Sequence, residues 1–248
     1  VLHYRHKDQD QSKDLFMFFN ESLCETIDLW VKLPILESVF HYDADQNQCY
    51  EAEYLSKDST SVRLVLAPYE STVIVAGGSP QKLLPQKKPS GDLISWLELK
   101  GPWDLSFSTA KEYPSFRDQQ TICTPRDIDL KYKDFSGTIR FETSLMLDVE
   151  PDPSSELFIE DANEAVEVWV NKTYIAMKIC PPYRFSIGPS LQKGQNIIRI
   201  EVTNTLANEL KSEKDSIREL MYPTSVNLPL GLIGKVEIKT FDRSLNIR

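Results

Sequence analysis

Ala165-Val166-Glu167-Val168-Trp169-Val170-Asn171-Lys172, continuing into Thr173–Ile179, is the stretch whose reading decides the fold. Successive side chains of an extended chain point to opposite sides. Val166, Val168 and Val170 therefore face one way and Glu167 and Trp169 the other. Asn171 supplies the turn between this run and the next, because asparagine tolerates the left-handed backbone that a tight hairpin needs. Two core strands of an antiparallel sheet follow from that pattern, with one face turned to the interior.

Working outward, short β-like runs recur with turn residues between them, the signature of sandwiches rather than of alternating strands and helices. The N-terminal part carries Leu15–Asn20, Ile27–Leu33, Val39–Tyr42, Cys49–Tyr54, Val62–Leu66 and Thr72–Ala76. These make a compact β-sandwich module over residues 1–76. From Gly77 to about Lys100 the chain turns rich in proline and glycine, which disfavours ladder pairing and marks residues 77–100 as a linker. Within it, Leu93–Leu99 alternates again and opens the next module. Residues 101–248 then carry strands at Trp103–Phe107, Gly137–Leu147, Glu156–Ile159, Ala165–Asn171, Thr173–Ile179, Asn196–Asn204 and Leu232–Lys239. Only Thr205–Met221 has helical spacing, and Pro223 ends it.

The 248 residues carry a formal charge of −9. Such a surface repels nucleic acid and anionic membrane, which are held by clustered Lys and Arg, so neither is an expected partner. Lys82, Lys87 and Lys88 form the densest basic stretch, but they sit among prolines and read as a solvated linker. No apolar run is long enough to span a bilayer. Cys24, Cys49, Cys123 and Cys180 lack metal-knuckle or redox spacing and lie in or beside apolar segments, so buried free thiols are expected, with a Cys24–Cys49 bridge as the alternative. Nothing in the sequence fixes a cellular compartment.

Several phrases of the second module resemble the sugar-binding jelly roll of glycoside hydrolase family 2 and its relatives. Asp134-Phe135-Ser136-Gly137-Thr138-Ile139-Arg140-Phe141-Glu142-Thr143 is similar to the opening-strand pattern D-F-S-G-x-x-x-Y-x-T. Val168-Trp169-Val170-Asn171-Lys172 resembles the V-W-V-N-G hairpin, with Lys172 where glycine is usual. That departure implies a different turn type, since lysine does not readily take a left-handed conformation. Pro181-Pro182-Tyr183-Arg184-Phe185, Leu191-Gln192-Lys193-Gly194-Gln195-Asn196 through Asn204, and Leu230-Gly231-Leu232-Ile233-Gly234 follow in the family's order. With Phe18-Phe19-Asn20-Glu21 and Pro68-Tyr69-Glu70-Ser71 in the first module, the chain looks most like the C-terminal region of family 106 α-L-rhamnosidases. The resemblance implies an all-β chain, a small β-sandwich followed by a galactose-binding-like jelly roll. It also implies a non-catalytic accessory region that braces the catalytic barrel of a longer glycosidase and contacts carbohydrate. An autonomous carbohydrate-binding module is the alternative, and an independent hydrolase ranks last.

Candidate chemistry divides accordingly. Asn20-Glu21 matches the acid/base dipeptide of family 2 barrels, but here it lies between two strands and reads as a hairpin turn. Asn208-Glu209, on the helical stretch, reads the same way. No catalytic residue is therefore assigned, because no barrel repeat is present to place two carboxylates across a scissile bond. Asp43-Ala44-Asp45-Gln46-Asn47 opens like a calcium loop but lacks its sixth-position glycine and twelfth-position glutamate, and reads as a polar hairpin tip. Galactose-binding-like modules often hold a structural calcium on loop oxygens, and no other cofactor is implied. His3, His6 and His41 form no triad pattern and read as edge-strand residues. For sugar stacking the candidates are Trp103, Trp169, Tyr174 and Tyr183. Trp169 with Tyr183 and Arg184 forms the candidate carbohydrate site, and Trp103 is expected in the core.

Overall fold

The computed structural model describes residues 1–8, 13–22, 24–44, 47–85, 93–128, 130–206, 208 and 230–241. The chain is all-β and divides into two compact units, Val1–Pro89 and Ser90–Arg248. The helical stretch expected at Thr205–Met221 lies largely outside the described residues, as do Glu209 and Asp45.

The first unit contains β1 (Leu2–Asp8), β2 (Lys13–Phe19), β3 (Ile27–Lys32), β4 (Val39–Asp43), β5 (Gln48–Glu51), β6 (Tyr54–Ser56), β7 (Thr60–Leu66), β8 (Ser71–Ala76) and β9 (Leu83–Leu84). One sheet runs β1-β2-β8-β4-β5-β9 and the other β3-β7-β6. Strict alternation on β7 buries Thr60, Val62, Leu64 and Leu66. They meet Phe16 and Phe18 of β2 and Ile74 of β8 in one core. The expected strand Cys49–Tyr54 is in fact two strands, β5 and β6, one in each sheet. The break falls at Ala52–Glu53, where the Glu53 carbonyl accepts from the Arg63 amide at 2.9 Å. Asn20 is buried between β2 and β3. Its Nδ2 donates to the carbonyls of Glu25, Leu66 and Ala67 at 2.8, 3.1 and 2.9 Å, and its Oδ1 accepts from the Ser22 amide. This is a loop clasp, and it corrects the hairpin reading of Asn20-Glu21: β2 and β3 belong to different sheets, so the turn carries the chain from one sheet to the other. β1 is an edge strand with His3 and His6 exposed, whereas His41 is not at an edge: it lies on β4, between β8 and β5, with its Nδ1 3.0 Å from Thr72 Oγ1.

The second unit contains β10 (Leu93–Glu98), β11 (Trp103–Ser108), β12 (Arg117–Ile122), β13 (Thr138–Leu147), β14 (Glu156–Ile159), β15 (Ala162–Asn163), β16 (Ala165–Val170), β17 (Thr173–Lys178), β18 (Tyr183–Ser186), β19 (Gly194–Thr203), β20 (Gly231–Leu232) and β21 (Val236–Phe241). A six-stranded sheet, β12-β11-β13-β19-β16-β17, and a four-stranded sheet, β10-β21-β14-β18, contribute to one core, with the short pair β15-β20 beside them. The long strands β13 and β19 pair antiparallel from Thr138↔Thr203 to Leu147↔Gly194. Inward residues include Trp103, Phe107, Phe141, Val168, Phe185 and Ile200, with Trp103 edge-on to Phe141. The last expected strand, Leu232–Lys239, is also divided, into β20 and β21. Between them Gly234 approaches Glu160 so closely that a Cβ would lie 2.5 Å from the Glu160 Cβ.

The resemblance-bearing phrases do scaffold work. Asn204, just after β19, accepts from the Gly137 amide at 2.8 Å and donates to the Phe135 carbonyl at 2.8 Å, joining the end of one phrase to the start of another. Gly137, at φ 148°, leaves no room for a side chain, since a Cβ would stand 2.4 Å from the Ser108 carbonyl oxygen. The β16–β17 hairpin corrects the expectation about Lys172. Asn171 and Lys172 have φ of 51° and 70°, the positive pair that a two-residue type I′ turn demands, so lysine takes the position usually held by glycine. The cysteines are a second correction. All four are free, but Cys24, Cys123 and Cys180 are exposed and Cys49 is half-buried. The three exposed thiols follow strand ends, where the chain has already left the inward-facing alternation.

Candidate functional site

The outward face of the six-stranded sheet gathers the chemistry-bearing side chains of the second unit. Period-2 alternation on β16 that buries the three valines necessarily turns Glu167 and Trp169 outward. The antiparallel register then sets their neighbours. Trp169 stands opposite Arg199 of β19 and Tyr174 of β17, and Glu167 stands opposite Glu201. On β13, Glu142 pairs with Arg199 and Arg140 with Glu201.

Two ion pairs cross these strands. Arg199 donates through Nε to Glu142 Oε1 at 2.8 Å. Arg140 donates through Nε and Nη2 to Glu201 Oε1 at 2.9 and 2.8 Å. The loop after β11 folds over the second pair, so that Tyr113 donates to Glu201 Oε2 at 3.2 Å and Phe116 covers the Arg140 guanidinium at 3.6 Å. Glu201 is thereby only 1% exposed, with both oxygens engaged. Trp169 and Tyr174 meet at 5.2 Å with their planes inclined at 64°, and the Arg199 guanidinium lies 5.9 Å from the indole centroid.

Glu167 is the odd member. It is half-buried and has neither a hydrogen-bond nor an ion-pair partner among the described residues, while Glu201 lies across from it. Burial first, and the Glu201 charge second, push its carboxyl above the ordinary range. The same carboxylate helps raise two phenols: Tyr174 after burial, and Tyr113 after burial and Glu201. Glu167 thus lies among Tyr113, Tyr174, Trp169 and Glu201.

The three residues read from the sequence as one site are not brought together. Trp169 lies on β16 of the six-stranded sheet, outward and half-buried. Tyr183 lies on β18 of the four-stranded sheet, 3% exposed, and its hydroxyl donates to the carbonyl oxygen of Glu164 at 2.5 Å. Burial first, then Asp161, Cys180 and Glu164, push that phenol up to about 12, so it remains a donor. Arg184 points to the other side of β18 and pairs with Glu156 Oε2 at 2.7 Å. Trp103 is core, with no exposed surface. Tyr183, Phe185 and Ile187 share the inward face, a period-2 signal legible in the sequence. The grouping of Arg140, Glu142, Arg199 and Glu201 around Glu167 needed the strand register.

Among the described residues no three His, Cys, Asp or Glu side chains converge as metal ligands. Around Lys32–Leu36, Asp58 and Ser59 the first unit has a depression of about 580 Å³, wide open to solvent.

No protein-family profile matches the chain, and no curated protein matches it. Among solved structures, a rhamnosidase from Novosphingobium sp. PP1Y superposes over 95% of this chain with a TM-score of 0.69 at 19% identity. β-Glucuronidases from Faecalibacterium prausnitzii and Dictyoglomus thermophilum align over 63% and 62% of it, with TM-scores of 0.46 and 0.44 and identities of 15% and 19%. Those alignments take in 33% and 29% of the two glucuronidases. The superposition on the rhamnosidase shows that the chain shares the fold of a β-sandwich region of that enzyme. In particular it is similar, through almost all of its length, to part of a rhamnosidase, of which it spans 23%.

Proposed function

We propose that this chain is a non-catalytic accessory region of a longer glycoside hydrolase, and that it braces a catalytic barrel. The observation that carries the reading is β10. This strand lies at the edge of the four-stranded sheet, yet Leu93, Ile94, Trp96 and Leu97 are 50%, 59%, 57% and 43% exposed. An apolar edge strand left open is an association hazard that proteins normally cover. The fold likeness to part of a rhamnosidase supplies the kind of occupant: the remainder of a larger glycosidase chain. The outward carboxylates suit a non-catalytic reading. Glu201 is held by Arg140 and Tyr113 and Glu142 by Arg199, so on this face Glu167 is not matched by a second unengaged carboxylate among the described residues.

Hydroxyl-radical footprinting of Trp96 in the isolated chain and in the full-length protein tests the docking. Strong protection in the full-length protein is expected, and equal labelling in both refutes it. Aryl α-L-rhamnosides and other aryl glycosides should remain intact with the isolated chain. Turnover abolished by Glu167→Gln would make it a hydrolase instead.

A further inference from the structure

We propose that the outward face of the six-stranded sheet holds a subsite for a neutral sugar ring, with Trp169 and Tyr174 as its apolar floor and Glu167 and Arg199 as its hydroxyl-binding groups. This subsite is independent of the bracing role, since β10 belongs to the other sheet.

The argument begins with what the face leaves unused. Arg199 commits only its Nε to Glu142, and among the described residues its terminal nitrogens have no acceptor, so they stand as donors beside the indole. Glu167 offers a carboxylate with no partner among the described residues, two residues before Trp169 on the same side of β16. That spacing is about 7 Å along a strand, comparable with the width of a pyranose. A donor and an acceptor flanking an aromatic plane suit a ligand with one apolar C–H face and hydroxyls at its rim. Tyr174 is 50% exposed, and Met177, which pairs with Glu167 across β17, is equally open, so the face is accessible.

Charge selects among ligands. Arg140 offsets Glu201 and Arg199 offsets Glu142, leaving Glu167 as a local excess of negative charge. Uronates, sialic acids and phosphates would add a like charge at close range and are rejected. A divalent cation would need more carboxylate or imidazole ligands than converge here among the described residues. Hydroxyl donors satisfy the carboxylate without adding charge.

The test uses methyl α-L-rhamnopyranoside, methyl β-D-galactopyranoside and D-glucuronate, titrated into the chain while ¹H–¹⁵N spectra are recorded. The expected result is saturable millimolar binding of at least one neutral glycoside. It should shift the indole N–H of Trp169, identified by its loss in Trp169→Phe. Binding weakens at least tenfold in Trp169→Ala and severalfold in Glu167→Gln, both checked for fold by circular dichroism. D-Glucuronate should not bind. The proposal is overturned if neither neutral glycoside binds at tens of millimolar, if binding survives both substitutions, or if glucuronate binds equally well. None of these outcomes bears on the footprinting of Trp96.

Discussion

Asn196 has no exposed surface, and its amide is the knot of the β19 turn. Nδ2 donates to the carbonyls of Gln192 and Gly194 at 2.7 and 3.1 Å, while Oδ1 accepts from the Gln192 amide and from Asn171 Nδ2, each at 2.9 Å. Asn196→Ala strands several buried groups at once, so urea denaturation should show a loss of about 3 kcal/mol. At Lys172 the strain is conformational. Lys172→Gly removes a Cβ from a left-handed residue and should raise stability by about 1 kcal/mol in the same assay. Glu167 gives a pH-dependent case. Its carboxyl faces Glu201, Tyr113 and Tyr174, with the Arg140–Glu201 and Arg199–Glu142 pairs beside it. A carboxyl raised by folding binds more protons folded than unfolded. Its stabilising contribution is therefore complete below the ordinary carboxylate range and is lost as pH rises through the raised value. Glu167→Gln should stabilise the chain at neutral pH by a few tenths to about 1 kcal/mol, the usual cost of like charges facing across two strands. The gain should vanish below about pH 4, near the ordinary carboxylate value.

Among the elements, β10 and β16 show how far alternation can be trusted. On β16 the pattern Val-x-Val-x-Val was legible because both neighbouring strands and the core enforce it, and burial follows residue by residue. Strand β10 also reads as a strand, and it is one, paired with β21 from Leu93↔Phe241 to Glu98↔Glu237. Its apolar residues are nonetheless exposed, and no sequence period distinguishes a side chain facing its own core from one awaiting a partner. Ile94→Lys with Trp96→Lys should leave the thermal transition within a few degrees of its original position. If the strip drives self-association of the isolated chain, sedimentation velocity should show that association disappear. Splitting of the expected strands Cys49–Tyr54 and Leu232–Lys239 has a similar cause. Continuous β-propensity does not reveal where a chain changes sheets, because that point is set by what packs against it, such as Glu160 against Gly234.

For the whole molecule, two separate hydrophobic cores make two lesions distinguishable. Leu64 belongs to the first core and Ile200 to the second, both with no exposed surface. Leu64→Ala and Ile200→Ala should each cost about 2–5 kcal/mol. In calorimetry each should lower the transition of its own unit and leave the other in place.

The sequence by itself determined that the chain is all-β, where most strands run, and which side of β16 faces inward. These are properties of local alternation and turn chemistry, and they survive without knowledge of neighbours. It also marked Trp169 as outward. What only the tertiary structure decided was the company Trp169 keeps. Arg199, itself paired with Glu142, lies beside it, and Glu201 faces Glu167, through a register linking β13, β19 and β16. Tyr183, by contrast, turns into the core of the other sheet. Registers join residues far apart in the chain, and the free energy that selects them comes from closing the core as a unit, which no single stretch of sequence encodes.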